Sequence, residues 1–360
     1  MTRTTVLLAF GGRSPEHDIS IRSATEVLQA IDRERFDVRL LGIDRQGGWR
    51  LGTSDDDPAQ VIAHAPIVTD IQALRVDVVF PVLHGPYGED GRFQGLLDSI
   101  DVPYVGSGVL ASALCMDKVR CKQVLATYRI PVVPWLSCWR RELDPSDAVL
   151  DRIAAEIGFP CFVKPANMGS SIGVSKATDR DTGRAALELA AQYDESIVIE
   201  RGLDAHEVEV AVLGNGGDET VVSAPGEVRL PPGVWYDYAT KYQQDTATLH
   251  IPAPLPAEVT ETVQAHALAA FRACGCSGLA RVDFFVDRQS HAVYLNELNT
   301  LPGFTSISMY PKLMAHAGVS YDRLIERLCQ LALTRLAATP RRPVDQAAAS
   351  PRRTDPARRH

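Results

Sequence analysis

Two short segments late in the chain, Arg281-Val282-Asp283 and Asn296-Glu297-Leu298-Asn299, set acids, amides and a guanidinium inside otherwise apolar runs. The polar stretch Asp287–His291 between them reads as a turn, so the two runs form a hairpin. One antiparallel register sets Asp283 opposite Glu297 and Arg281 opposite Asn299. The period-two alternation of strands then brings all four side chains to one face. Two carboxylates so placed repel unless a cation bridges them, and oxygen donors without His or Cys favour magnesium over zinc. The same residues would equally suit the solvent face of an ordinary hairpin.

A second signal is Lys164-Pro165-Ala166-Asn167-Met168-Gly169-Ser170-Ser171-Ile172-Gly173, a strand ending in lysine followed by a Gly/Ser-rich loop. Such a loop offers close backbone approach and N–H groups that suit phosphate oxygens, although its spacing is not that of a Walker A loop and a plain hairpin turn reads the same way. Lys118 opens a predicted helix, where a surface charge is the ordinary reading. Glu200 ends one apolar strand and Glu207 opens the next. Acids at such a corner suit an adenine amino group and ribose hydroxyls, and suit solvent equally well.

These residues need a frame. Val6–Phe10 is an apolar run ending in Gly11-Gly12, and Ala24, Val27, Leu28 and Ile31 then trace one face of a helix. Val38–Ile43 and Val76–Val82 read as buried strands, and Phe93, Leu96, Leu97 and Ile100 as another helix face. Strands alternating with helices predict a doubly wound parallel sheet with ligands beyond the carboxyl ends of its strands, where Gly11-Gly12 and His84-Gly85 fall. After Pro131 and Pro134 a smaller unit follows, with strands Phe159–Val163 and Ser196–Glu200 and a helix near 184–192. Beyond it strands dominate, at Glu207–Leu213, Thr220–Ser223, Ala280–Val286 and Val293–Asn299. The long polar loop 229–250 interrupts them, and helices follow near 258–273 and 320–335. The predicted order is α/β, a small lid, then α+β, divided as 1–123, 124–204 and 205–336, with a disordered tail over 337–360.

Of the 360 residues 45% are hydrophobic, enough for several cores, and no apolar run approaches a membrane span. The net charge is −8 although the tail 337–360 is rich in arginine, so nucleic acid is not the expected partner. The seven cysteines include no CxxC pair. Cys274 and Cys276 lack companion ligands, which predicts neither a disulfide framework nor a zinc site. No secretory signal is recognisable at the start, and reduced thiols in a cytoplasm fit best.

The motifs, taken in order, resemble those of the D-alanine–D-alanine ligases of the ATP-grasp superfamily over roughly Val6 to Leu333. They are Phe10-Gly11-Gly12 with Glu16-His17-Asp18-Ile19-Ser20, Leu83-His84-Gly85 with Gly88-Glu89-Asp90-Gly91, and Gly106-Ser107-Gly108. Met116-Asp117-Lys118, Val163-Lys164-Pro165 and Gly169–Gly173 come next. Tyr236-Asp237-Tyr238 with Lys241-Tyr242, Ala280–Asp283 and Asn296–Phe304 complete the series. The resemblance implies an ATP-grasp fold and ATP-dependent joining of two D-alanines through D-alanyl phosphate, for peptidoglycan precursors. It further implies two magnesium ions, with manganese as an alternative, and a cytoplasmic homodimer.

By that resemblance, Lys118, Lys164 and Ser171 hold ATP phosphates, Lys241 reaches the γ-phosphate, and Glu200 and Glu207 take adenine and ribose. Asp283, Glu297 and Asn299 bind the metal ions. Glu16 holds the ammonium of the first D-alanine, with His84 near it, and Ser308 receives the second carboxylate. Arg281 and the Gly303 N–H face the oxyanion, while Ser170 and Tyr242 close the site. Lys241-Tyr242 matches the dipeptide-forming type and disfavours D-lactate, whereas D-serine stays open as second substrate. Trp235 stands where the family pattern has phenylalanine. Another ATP-grasp carboxylate–amine ligase and a non-catalytic ATP-binding regulator are the rival readings. The first need not keep Glu16, His84 and Ser308, and the second would be expected to lose a metal ligand or Arg281.

Overall fold

The computed structural model of the chain describes residues 3–70, 74–143, 147–229 and 248–338. Its first sheet holds β1 (Thr4–Gly11), β2 (Phe36–Ile43), β3 (Trp49–Thr53) and β4 (Val78–Pro81) in the order β3-β2-β1-β4. β1 pairs in parallel with β2 and β4, as expected of a strand buried on both faces. Leu7 and Ala9 face Phe93 and Leu97, while Val6, Leu8 and Phe10 face Ala24 and Val27. Those partners lie on α1 (His17–Ala30) and α3 (Arg92–Ser99), and α2 (Pro58–His64) packs on β2 and β3. β3 runs antiparallel to β2, an edge strand that the sequence pattern does not announce, because the short connection after Ile43 makes a hairpin instead of a helical crossover.

α4 (Val109–Met116) and α5 (Lys118–Thr127) meet in a sharp break at Asp117, whose carboxylate accepts from the Arg120 N–H at 3.0 Å and so starts α5. The predicted boundary at 123/124 falls inside α5. The second unit holds β5 (Trp135–Trp139), α6 (Asp147–Arg152), β6 (Cys161–Pro165), β7 (Ser175–Ala177), α7 (Arg180–Ala190) and β8 (Ser196–Arg201). Its sheet is antiparallel in the order β5-β8-β6-β7. Leu136, Leu150, Val163, Leu187 and Ile197 fill a core of its own.

The third unit holds β9 (Ala205–Gly214), β10 (Val221–Val222), β11 (Gly226–Arg229) and β12 (Thr248–His250), then α8 (Ala257–Ala273), β13 (Gly278–Asp287) and β14 (Val293–Asn299). α9 (Met309–His316) and α10 (Tyr321–Ala338) follow. The strands run antiparallel in the order β12-β11-β9-β13-β14, with β10 also on β9. The first and third units share a core that joins Val6 and Phe80 to Leu279, Tyr310 and Leu324. Arg335 of α10 reinforces it, donating to the Tyr104 carbonyl at 3.0 Å and to Ser277 Oγ at 2.6 Å. No described helix is long and apolar enough to cross a membrane. The expected tail lies outside the described residues apart from Ala337 and Ala338, which end α10.

Candidate active site

The hairpin of β13 and β14 has the expected register: Asp283 faces Glu297 and Arg281 faces Asn299, with a bulge directly after Asp283. On its other side Asp283 faces Glu209 of β9, so three carboxylates form a row across neighbouring strands. Side-chain cations moderate their repulsion. Arg281 donates from Nε and Nη2 to the two Asp283 oxygens, both at 2.7 Å, and its Nε lies 3.0 Å from Glu209 Oε2. Lys118 Nζ is 3.3 Å from Glu297 Oε2, and Asn299 Nδ2 donates to Asp283 at 3.1 Å. Asp283, Glu297 and Asn299 thus offer oxygens only, a donor set that fits a hard divalent cation. Glu209 escaped sequence reasoning, although the alternation Glu207-Val208-Glu209-Val210 puts it on the same face as Glu207.

The lysines come from two other elements. Lys118, the first residue of α5, donates to the Met168 carbonyl at 2.8 Å and, through its contact with Glu297, ties the Gly/Ser loop to the third unit. Ser170 and Ser171 in that loop carry positive φ values of 49° and 58°, a conformation costly for residues with a Cβ. Lys164 Nζ lies 2.5 Å from one Glu200 oxygen, and Lys122 Nζ lies 2.6 Å from the other. Burial alone would raise the Glu200 pKa, but the two ammoniums outweigh it and hold the carboxyl down at about 2. The same carboxylate, with Glu297 and Glu207 behind it, lifts Lys164 above its ordinary value against the effect of burial. Lys122 was not singled out from the sequence, because a lysine in the polar helix 118–127 looks like surface, yet it is 1% exposed.

Glu16, at the start of α1, is the first unit's contribution. Its Oε1 accepts from Ser170 Oγ at 2.6 Å, which joins the first unit to the lid. Gly85 permits this: at φ +74° a Cβ there would stand 2.4 Å from Glu16 Oε2. His84 beside it is buried, and burial lowers its pKa against the pull of Glu16, so the ring is neutral. The Leu301 carbonyl, 3.0 Å from Nδ1, only accepts; the proton therefore sits on Nδ1, and Nε2 accepts from Ser23 Oγ at 3.0 Å. Glu89 accepts from the Gly85 and Leu301 N–H groups at 3.1 and 3.3 Å. Burial, and then Glu16, push its carboxyl up to about 8 against the pull of these two N–H groups. No role was predicted for Glu89.

Ser308 precedes α9, and its Oγ lies 2.7 Å from Thr305 Oγ1 and accepts from the Thr305 N–H at 3.1 Å. A Cβ on Gly303 would stand 3.1 Å from the same Oγ, which puts Ser308 and the Gly303 backbone side by side. Lys241 and Tyr242, with most of the expected closing loop 229–250, lie outside the described residues.

The Glu16 contact makes Ser170 testable. Ser170→Ala will lower kcat/KM by about 10- to 100-fold, the worth of a hydrogen bond to a charged group. Ser170→Gly will match that loss while unfolding at a higher temperature than the alanine variant, since glycine relieves the positive φ. Steady-state kinetics with thermal melts will check both, and wild-type kinetics in either variant would remove Ser170 from the site.

An antiparallel lid carrying Lys164, set with Lys118 of α5 against a larger sheet that presents carboxylates and an amide, is the ATP-grasp architecture. The family model described as D-ala D-ala ligase N-terminus matches residues 5–107, and D-ala D-ala ligase C-terminus matches 124–330. A relative from Heliobacterium modesticaldum named D-alanine–D-alanine ligase is 46% identical, over 93% of this chain and 96% of its own. Among solved structures, the VanG D-Ala:D-Ser ligase from Enterococcus faecalis superposes with a TM-score of 0.82 at 34% identity, covering 92% of this chain and all of its own. The D-alanine-D-alanine ligase from Coxiella burnetii gives 0.80 at 34%, covering 93% and 96%. The chain belongs to the D-alanine–D-alanine ligase family.

Proposed function

We propose that the protein joins two D-alanine molecules to D-alanyl-D-alanine with hydrolysis of ATP to ADP and phosphate, for peptidoglycan synthesis. The observation that carries this reading is the convergence on Lys118, whose Nζ touches both the Met168 carbonyl of the lid loop and Glu297 of the hairpin. A phosphate-binding lysine and a metal-type carboxylate thus share one place between the lid and the larger sheet.

The first D-alanine binds with its ammonium at Glu16 and its carboxylate toward the lysines. A carboxylate oxygen attacks the γ-phosphorus of ATP, ADP leaves, and D-alanyl phosphate forms. Lys118, Lys164, Lys241 and the loop at Ser171 offset the phosphate charge, and Glu207 and Glu200 lie toward the nucleoside. Asp283, Glu297 and Asn299 would hold two magnesium ions, which when bound would supply charge neutralisation for the phosphoryl transfer. The amine of the second D-alanine, its carboxylate held at Ser308, attacks the acyl carbon. Arg281 and the Gly303 N–H stabilise the tetrahedral oxyanion, and phosphate leaves. Ser170 with Tyr242 keeps water from the acyl phosphate. A neutral His84 beside Glu16 adds no second positive charge to compete for the ammonium's counterion. The units divide as 1–123, 124–204 and 205–336, and the working form is a cytoplasmic homodimer.

D-Serine is the second reading for the acceptor, favoured by the likeness to a D-Ala:D-Ser ligase. Phosphate release will be measured with D-alanine alone and with D-alanine plus D-serine or D-lactate, the products being identified by mass. Rapid formation of D-alanyl-D-alanine from D-alanine alone is expected. A mixed product with little turnover on D-alanine would replace the acceptor, and ATP binding without turnover on any of the three would overturn the reading.

A further inference from the structure

Four of the seven cysteines meet in one place. Cys115 lies near the end of α4, Cys121 in the first turn of α5, and Cys274 and Cys276 in the turn between α8 and β13. The Sγ atoms of Cys115, Cys121 and Cys274 all lie within 4.8 Å of one another, and Cys276 Sγ is 3.8 Å from Cys115 Sγ. All four side chains are buried. The expectation that Cys274 and Cys276 have no companion ligands is therefore corrected: the companions come from distant helices, Cys115 being 161 positions from Cys276.

We propose that these thiols bind one thiophilic divalent cation of the zinc type, with Cys115, Cys121 and Cys274 as ligands and Cys276 as the fourth. Zinc with sulfur ligands at about 2.3 Å holds them about 3.8 Å apart, so Cys115, Cys121 and Cys274, whose sulfurs lie within 4.8 Å of one another, need only a small contraction. Cys276, 3.8 Å from Cys115, lies outside that set and has to swing toward it to complete the site. Each ligating thiol gives up its proton, so one divalent cation with three thiolates leaves a single negative charge, and with four, two. Leu125, Val263, Ala267 and Phe271 belong to the same core. A closed all-sulfur set is a structural site, unlike a catalytic one with an open position.

Position gives the site a task. α5 carries Lys118 and Lys122, and β13, which begins two residues after Cys276, carries Arg281 and Asp283. A cation here would clamp the helix that supplies the lysines to the strand that supplies the guanidinium and a carboxylate. Without a cation the four thiols are small side chains filling a core.

The test uses the full-length protein, reduced and stripped of metal, titrated with cadmium and then with zinc. One cadmium per chain is expected, with sulfur-to-metal charge-transfer absorption that saturates at one equivalent, displacement by zinc, and a rise in melting temperature. Cys121→Ala and Cys274→Ala will each weaken cadmium binding by more than about 100-fold, beyond the cost of losing a supporting group behind a ligand. Cys329→Ala, whose thiol lies in a different core, will keep the band. Absence of the band in the wild-type protein at several equivalents overturns the proposal whatever the variants do. A band that survives in both ligand variants overturns it equally, with circular dichroism establishing that each is folded.

Discussion

Arg281→Ala will lose roughly 100- to 1,000-fold in kcat, the usual cost of one oxyanion donor, while ATP still binds. Arg281 is well placed for the larger figure. Its guanidinium, 20% exposed, holds both Asp283 oxygens at 2.7 Å and approaches Glu209, so it also fixes the acids beside it. Removing it leaves two poorly exposed carboxylates facing each other, and the variant will melt at a lower temperature. Arg281→Lys separates the two effects. A lysine restores one positive charge, and with it part of the melting temperature, but a point charge does not reproduce a planar fork that grips two oxygens. Single-turnover measurement of D-alanyl-D-alanine formation, beside equilibrium ATP binding, reads the outcome. Wild-type turnover in Arg281→Ala would remove the guanidinium from the chemistry.

Glu200→Gln will lower the melting temperature by on the order of 10 °C, because breaking a buried ion pair typically costs about 3–5 kcal/mol. The carboxylate is 3% exposed between Lys122 at 1% and Lys164 at 12%, and an amide neutralises neither. The acid limb offers an independent reading. The folded value of about 2 lies below the ordinary 4.5, so the native state binds fewer protons than the unfolded chain between those values. Its stabilisation is present above about pH 4.5 and is lost as pH falls toward 2, in total about 3 kcal/mol. The wild-type melting temperature will therefore fall more steeply over that window than that of Glu200→Gln. Parallel slopes would show that the carboxylate gains nothing from its two lysines.

What was legible from the residues is of one kind. The hairpin register could be read because both strands lie close in sequence, and alternation fixes which side chains share a face. Lys118 at a helix start, His84 past a strand end and the Gly/Ser loop were also placed by local pattern. What was missed depends on distant segments arriving together. Glu209 joins the carboxylate row only because β9 lies beside β13. Lys122 looks like a surface residue until Glu200 arrives from β8. Glu89 becomes an unusual acid only when the fold buries it and brings Glu16 close. The cysteines show the same limit, since ligand spacing in sequence is informative only for sites built from one local segment.

The division of cores bears on how such a chain can vary. The lid core is drawn from one continuous stretch, whereas residues from both ends of the chain interlock in the core beneath the first sheet. The body is thus covalently interrupted yet physically single, and the lid is an insertion that leaves it once and returns once. Most of the lid's apolar packing is therefore its own, apart from a small cluster in which Val119 of α5 meets Ala166 and Val198. The exceptions include the side chains that reach across, Glu16 to Ser170, Lys118 to Met168 and Lys122 to Glu200, and there a change on one side demands an answer on the other.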